Sequence, residues 1–420
     1  MNNAFLKSFQ TLQQVYKDKA FSGITLNKTL TFCKNQDKAL ITKLVYGVLE
    51  NDIKLAYLLG KFVKKMPKGD VLIILKMGVY CLMELSIPQY TVVNDLAEIA
   101  KVTEDRRQVG FVNATLKRIA QSLPTFNDYP TDELECLSVK FSYPMWALKK
   151  LVKDYGVETA KLIVSHELPT NTTVRVVGLG KEQVEQKFGK VESTMFADAY
   201  KISGKIPPMD GSFTMQSLSS MAICQVVANG IGAKFLDCCS APGGKAVYVK
   251  QLCPQTQVDA CDVHPHRVQL INDYAKRMGV EVATHCQDMT TLVPEWQQQF
   301  DTVLCDVPCS GFGVLDNRPD IKLFRESLDV SSLMKLQQQI LQTCSAYVKV
   351  GGRLIYSTCT VFNHENLANV EKFLKNNGNF AFSTISLPQF PMADGKPYYQ
   401  FLPHKDGVQG FFVAVLTRTE

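Results

Sequence analysis

The alternation of apolar and polar residues changes character twice along the chain. From Lys38 to Val63, apolar residues recur at Ile41, Leu44, Val45, Val48, Leu49, Ile53, Tyr57 and Leu58, spacings that gather them on one face of a helix. The same period runs through 71–86, 91–102 and 108–122, with Pro88 and Pro124 placed where such helices must stop. Residues 1–125 therefore predict an all-helical bundle. Residues 126–205 are mixed, with helices expected over 145–154, 157–166 and 182–188 and a strand over TTVRVVGL at 172–179. They predict a small α+β connecting segment. From 206 to 420 the pattern becomes strand, turn, helix, repeated. Strands are predicted at 233–239, 256–262, 280–285, 300–306 and 352–358, and helices at 245–251, 265–278, 330–348 and 364–376. Apolar strands alternating with helices build a mostly parallel, doubly wound sheet of the α/β class. FFVAVLT at 411–417 is expected to add a last antiparallel strand at its edge.

Composition narrows the classes. The richest apolar run, VLIIL at 71–75, ends at Lys76, far short of the roughly 20 residues a membrane span needs. The opening MNNAFLKSFQ lacks the apolar stretch of a secretory leader, so neither a leader nor a membrane is expected. The 13 cysteines are odd in number and contain no CxxC pair, which predicts reduced thiols in a cytoplasmic protein. His264, His266, His285, His364 and His404 are scattered without zinc-like spacing, so no metal is expected. Residues 1–120 hold 18 Lys and Arg against 10 Asp and Glu, while the rest hold 28 against 30. A basic N-terminal third on a near-neutral body fits a polyanionic partner, or else a solvated helical face.

Chemistry concentrates at strand ends, where open α/β sheets bind ligands. The first βα turn, Cys239-Ser240-Ala241-Pro242-Gly243-Gly244-Lys245, opens a helix, and its glycines let a ligand approach the backbone. It is neither GxGxxG nor a P-loop, which disfavours dinucleotides and nucleoside triphosphates. Acids recur at or just beyond the ends of the first four strands: Asp237, Asp262, Asp288 and Asp306. That set repels a pyrophosphate and suits a cationic nucleoside such as S-adenosylmethionine. Two cysteines, Cys309 and Cys359, follow strands directly, among Pro, Ser, Thr and Gly. A thiolate there is placed for nucleophilic chemistry rather than packing. On position alone the two thiols also admit a redox pair or half of a metal site. Arg318 and Lys322 follow as candidate phosphate contacts.

Several segments resemble the RNA cytosine-5 methyltransferases. LDCCSAPGGK is similar to their cofactor motif, DVPCSGFGVLDNRPDIK and GGRLIYSTCT to their two cysteine motifs, and DGVQGFFVA to their C-terminal strand. KLVYGVLEN, IPQYTVVND and GFVNATLKR resemble an antitermination-factor-type RNA-binding domain. Together they match the bacterial 16S ribosomal RNA (cytosine-5)-methyltransferase B family over nearly the whole chain. The resemblance implies a Rossmann-like methyltransferase domain, S-adenosylmethionine as cofactor, and 16S ribosomal RNA, free or in a partly assembled small subunit, as substrate of a monomer. It implies that Cys359 adds to C6 of the cytosine and that Cys309 assists the elimination that releases the product. It implies that Cys239 through Lys245 wrap the methionine part of the cofactor, Asp262 the ribose and Asp288 the adenine edge. Asp306 is implied to meet the cytosine ring as an acid close to the cofactor. The chain departs from the family pattern at Val177, Cys238, Ser240, Ala246 and Tyr274. A non-catalytic RNA-binding factor on the same fold and a nicotinamide-dependent oxidoreductase are the competing readings.

Overall fold

The computed structural model describes residues 3–103, 106–122, 128–166 and 172–420. The chain divides into two compact units, 1–165 with 315–326, and 166–314 with 327–420. This differs from three consecutive segments divided near 125 and 205. Helices Glu133–Lys140, Met145–Tyr155 and Val157–Ser165 fall in the helical unit, the first capped by Asp132 accepting from the Glu135 N–H at 2.9 Å.

The helical unit packs around Phe5, Phe9, Leu44, Val48, Ile74, Leu75, Leu96 and Leu116. The periodic stretch 38–63 forms two helices, Asn35–Glu50 and Asp52–Gly60. They break at Asn51, whose side-chain amide donates to the Gly47 carbonyl at 2.9 Å and competes with continuation of the helix. The expected stop at Pro124 lies outside the described residues. Segment 315–326 also belongs to this unit. The Ser22 hydroxyl donates to Asp320, and the Lys322 ammonium donates to the Glu50 carbonyl at 3.0 Å. Lys322, a candidate phosphate contact by its charge, is held down at about 8 by burial and donates to the backbone carbonyls of Glu50 and Phe141 in this unit. No helix among the described residues is long and apolar enough to cross a membrane.

The second unit carries two sheets. In the smaller, β1 (Thr172–Val176), β2 (Val191–Ser193), β3 (Ala199–Ile202) and β4 (Phe213–Met215) run antiparallel in the order β2-β3-β1-β4. In the larger, β5 (Lys234–Asp237), β6 (Gln257–Asp262), β7 (Ala283–Cys286), β8 (Phe300–Asp306) and β9 (Val348–Thr358) are parallel. β10 (Phe380–Phe382), β11 (Tyr398–Gln400) and β12 (Phe412–Arg418) complete it in the order β10-β12-β9-β8-β5-β6-β7, with β11 also paired to β12. β12 is antiparallel as expected but is not an edge strand. β9 and β10 flank it. Its FVAVL core is buried on both faces, which suits an interior strand. The order reverses at β5, whose partners β6 and β8 lie on opposite sides. That switch point is where a doubly wound sheet opens a crevice at its strand ends.

Candidate active site

Register places the chemistry. β8 and β9 are parallel neighbours, with Asp306 opposite Ser357. Cys309 lies three residues beyond the first and Cys359 just beyond the second, so both thiols emerge over the same end of the sheet. Their Sγ atoms are 3.2 Å apart, and the Cys359 N–H donates to the Cys309 sulfur at 3.3 Å. Both are half-buried. The Cys309 thiol at its side lowers the pKa of Cys359 in spite of burial, while Cys309, hydrogen-bonded and buried, is raised well above an ordinary thiol. The pair therefore polarises into a thiolate-prone Cys359 and a proton-holding Cys309.

Two backbone contacts fix the Cys359 turn. The Gly313 N–H donates to the Cys359 carbonyl at 3.0 Å, and the Gly410 N–H donates to the Gly313 carbonyl at 2.8 Å. A Cβ on Gly313 would overlap the Gly410 carbonyl oxygen and come within 2.9 Å of the Cys359 carbonyl oxygen. The glycines of SGFG and VQG thus stack three backbone segments too closely for side chains.

Asp306 is held on both sides. Lys245 pairs with its Oδ2 at 2.6 Å and the Ser357 hydroxyl donates to Oδ1 at 2.7 Å. Burial would depress the Lys245 ammonium, but the Asp306 carboxylate beside it holds it above its usual value. Lys245 opens the helix Gly244–Leu252, so the loop from Cys239 to Lys245 delivers its cation to the cysteine turns. The loop turns over Gly243, at φ +101°, with the Gly243 N–H donating to the Ser240 carbonyl at 2.7 Å and a cis Ala241–Pro242 peptide.

Beneath that loop, Asp237 at the end of β5 is buried, and neither carboxyl oxygen has a hydrogen-bond partner. The Ser240 hydroxyl is likewise unpaired. Burial, with Asp306 nearby, pushes the Asp237 carboxyl up to about 7. A buried carboxyl without a partner is costly and fits a site completed by a donor-rich or cationic ligand. Asp262 is buried and accepts from the His264 N–H at 3.1 Å, with Arg267 3.3 Å from its other oxygen. Asp288 lies exposed beyond β7, folded back onto the Thr290 N–H and hydroxyl, whose hydrogen bonds lower its carboxyl. The orphaned Asp237 and Ser240, the open glycine turn and the further acids at the ends of β6 and β7 fit a cationic nucleoside.

Glu365, which the sequence presents only as an acid at a helix start, is fully buried. It accepts from the Ser310 N–H at 2.9 Å and from the Gln337 amide at 3.0 Å, and the Ser310 hydroxyl donates to its other oxygen. Three further cysteines, Cys238, Cys305 and Cys344, gather within 4.8 Å inside the core. Burial raises the thiols of Cys238 and Cys344, while the hydrogen bonds of these two lower Cys305 to about 5, and the cluster packs among Leu236, Val303 and Leu341. The histidines join no such group among the described residues. Among the departures, Tyr274 donates to the Thr214 hydroxyl at 2.8 Å, Val177 packs against Val247, Ala275 and Met278, and Ala246 is core.

Comparison with known proteins adds ancestry to this geometry. Residues 226–417 match the family model described as 16S rRNA methyltransferase RsmB/F, and residues 4–121 match the NusB family. Among solved structures, the crystal structure of PH0851 superposes with a TM-score of 0.84 over 100% of this chain and 99% of that one, at 20% identity. NSun6 from Pyrococcus horikoshii gives 0.57 over 66% of this chain and 98% of its own, at 19%. Both share the fold. Ribosomal RNA small subunit methyltransferase B of Salmonella arizonae is 28% identical over 99% of both chains. The probable ribosomal RNA small subunit methyltransferase B of Bacillus subtilis is 30% identical over 98% of both chains. With two family models and a full-length relative in agreement, the chain belongs to the ribosomal RNA small subunit methyltransferase B family of S-adenosylmethionine-dependent enzymes.

Proposed function

We propose that the protein methylates carbon 5 of a cytosine in 16S ribosomal RNA through a covalent bond between Cys359 and the base. The observation that carries this reading is the contact of two unequal thiols, Sγ to Sγ at 3.2 Å, over the end of one parallel sheet beside a Lys245–Asp306 pair. Cytosine C5 is a poor carbon nucleophile, and covalent addition divides one hard step into easier ones. Cys359 Sγ bonds to C6, and the electron pair of the C5–C6 bond moves into the ring. As negative charge builds at N3, Asp306 relays a proton there from the Lys245 ammonium paired with it, and the proton returns by the same route when the ring is restored. When bound, S-adenosylmethionine supplies an electrophilic methyl group. Cys309 gives up its proton to solvent once Cys359 is bonded to C6, then accepts the C5 proton as the C6–S bond breaks, which restores the ring, the Cys359 thiolate and the Cys309 thiol.

The residues from Cys239 to Lys245 would hold the methionine portion of the cofactor, Asp262 its ribose and Asp288 its adenine edge. Asp237 joins them, since its unpartnered carboxyl sits directly under the loop. The basic helical third would hold the RNA, and the target base must leave its stack to reach the thiols. The substrate is free 16S RNA or a partly assembled subunit, met in the cytoplasm by a monomer. Bisulfite mapping of ribosomal RNA from cells with and without the protein tests this reading. One protected cytosine that disappears on deletion supports it, and an unchanged map contradicts it.

A further inference from the structure

The residues that bracket the two cysteines converge on one buried carboxylate. Ser310 follows Cys309 and Thr360 follows Cys359, and their hydroxyls are 2.7 Å apart. Ser310 donates its own proton to Glu365, so the hydroxyls form a one-way relay from Thr360 through Ser310 to the carboxylate. Gln337, from the helix Ser327–Ser345, donates both to Glu365 and to the carbonyl of Pro308, the residue before Cys309, at 2.9 Å. On the other side, Asn366 donates to the Thr360 carbonyl at 3.0 Å and accepts from the Thr358 hydroxyl, the residue before Cys359. The Glu365 backbone is anchored in turn, its carbonyl accepting from the Tyr356 hydroxyl at 2.7 Å.

We propose that Glu365 is a positioning residue that sets the spacing of Cys309 and Cys359 by tying both cysteine turns to one carboxylate. Its partners are neutral donors, so it is not half of an ion pair. A buried carboxylate is an expensive way to stabilise a fold that an apolar side chain would fill. What it offers instead is two oxygens that bond the Ser310 backbone and side chain at once, which an apolar residue cannot do. Release of product requires Cys309 to reach the C5 proton while Cys359 is bonded to C6, so an error in their spacing falls on the elimination step. This last consequence rests on the proposed covalent route, whereas the spacing itself does not.

The spacing can be read without RNA. Diamide joins two neighbouring thiols, which give up two protons and two electrons as the diazene becomes a hydrazine. Peptide mapping then follows the Cys309–Cys359 bond specifically. We expect Glu365→Ala to slow its formation about tenfold or more, since shifts of about 1 Å carry such factors in oriented reactions. Glu365→Gln, which keeps one acceptor, should recover part of the rate. With RNA, Glu365→Ala should raise the fraction of denaturant-stable adduct while leaving the KM for S-adenosylmethionine unchanged. Ser310→Ala removes the hydroxyl relay alone and should slow the bond severalfold, which decides the matter if Glu365→Ala does not fold. Wild-type rates in both Ser310→Ala and a folded Glu365→Ala would overturn the proposal, as would a wild-type protein that forms no such bond. A Cys309→Ala protein that traps no RNA adduct would instead overturn the covalent route and leave the spacing result standing.

Discussion

At the scale of single residues, the site works by making two like side chains unlike. The contact with Cys309 and the field of Lys245 lower the Cys359 thiol, while the same contact and burial raise Cys309. Asp237 is the residue whose state is most open to measurement. Its carboxyl titrates at about 7 in the folded protein, against about 4 in an unfolded chain. A raised carboxyl stabilises the protonated native state, so its contribution is complete below about 4 and lost as pH rises through about 7. The melting temperature of the ligand-free protein should fall between about pH 4 and pH 7, and Asp237→Asn should flatten that fall. A cationic cofactor favours the ionised carboxyl, so calorimetric affinity for S-adenosylmethionine should rise over the same interval in the wild type and not in Asp237→Asn. The cysteines and strand-end acids were legible in the sequence because Pro, Gly, Ser and Thr mark where apolar strands stop. Glu365 was not. Its partner Ser310 is 55 positions away, and a glutamate at a helix start ordinarily faces water.

At the scale of elements, the strand order decides which turns meet. Each parallel strand was visible as an apolar run, yet nothing local says that the last strand enters between β9 and β10 rather than at an edge. That placement brings Gly410 against Gly313 and the Cys359 turn. Gly313→Ala should therefore cost about 1–3 kcal/mol of stability, as overpacking typically does. More tellingly, it should reduce methyl transfer at temperatures where the protein remains folded. Denaturant titration and a methyl-transfer assay on the same sample check both. A variant with wild-type activity would show that the three stacked backbone segments do not set the turn. The docking of 315–326 in the helical unit was equally hidden. Arg318 and Lys322 read as phosphate contacts by charge, but Lys322 is spent on backbone carbonyls.

At the scale of the whole molecule, a basic helical unit and a near-neutral catalytic unit share one chain. Affinity for RNA should then depend on salt through the helical third. Replacing the exposed Lys64 and Lys65 by Ala should weaken ribosomal RNA binding. Filter binding should show the slope of log K against log salt becoming shallower by about 1 for each phosphate that is no longer neutralised. Affinity for S-adenosylmethionine should not change, and an unaltered RNA slope would place the phosphate-binding cations elsewhere. The uneven charge was plain in composition, whereas the boundary of the unit that bears it was not, because helices 133–165 carry no charge signal that joins them to the bundle. The central claim, that Cys359 bonds to the base and Cys309 frees it, is tested most directly by denaturing electrophoresis of the Cys309→Ala protein with unmodified 16S RNA and S-adenosylmethionine. A slow-migrating protein–RNA band that survives denaturation, and is absent when Cys359→Ala is added, is the predicted result. No band from Cys309→Ala, or a band that persists without Cys359, would contradict it.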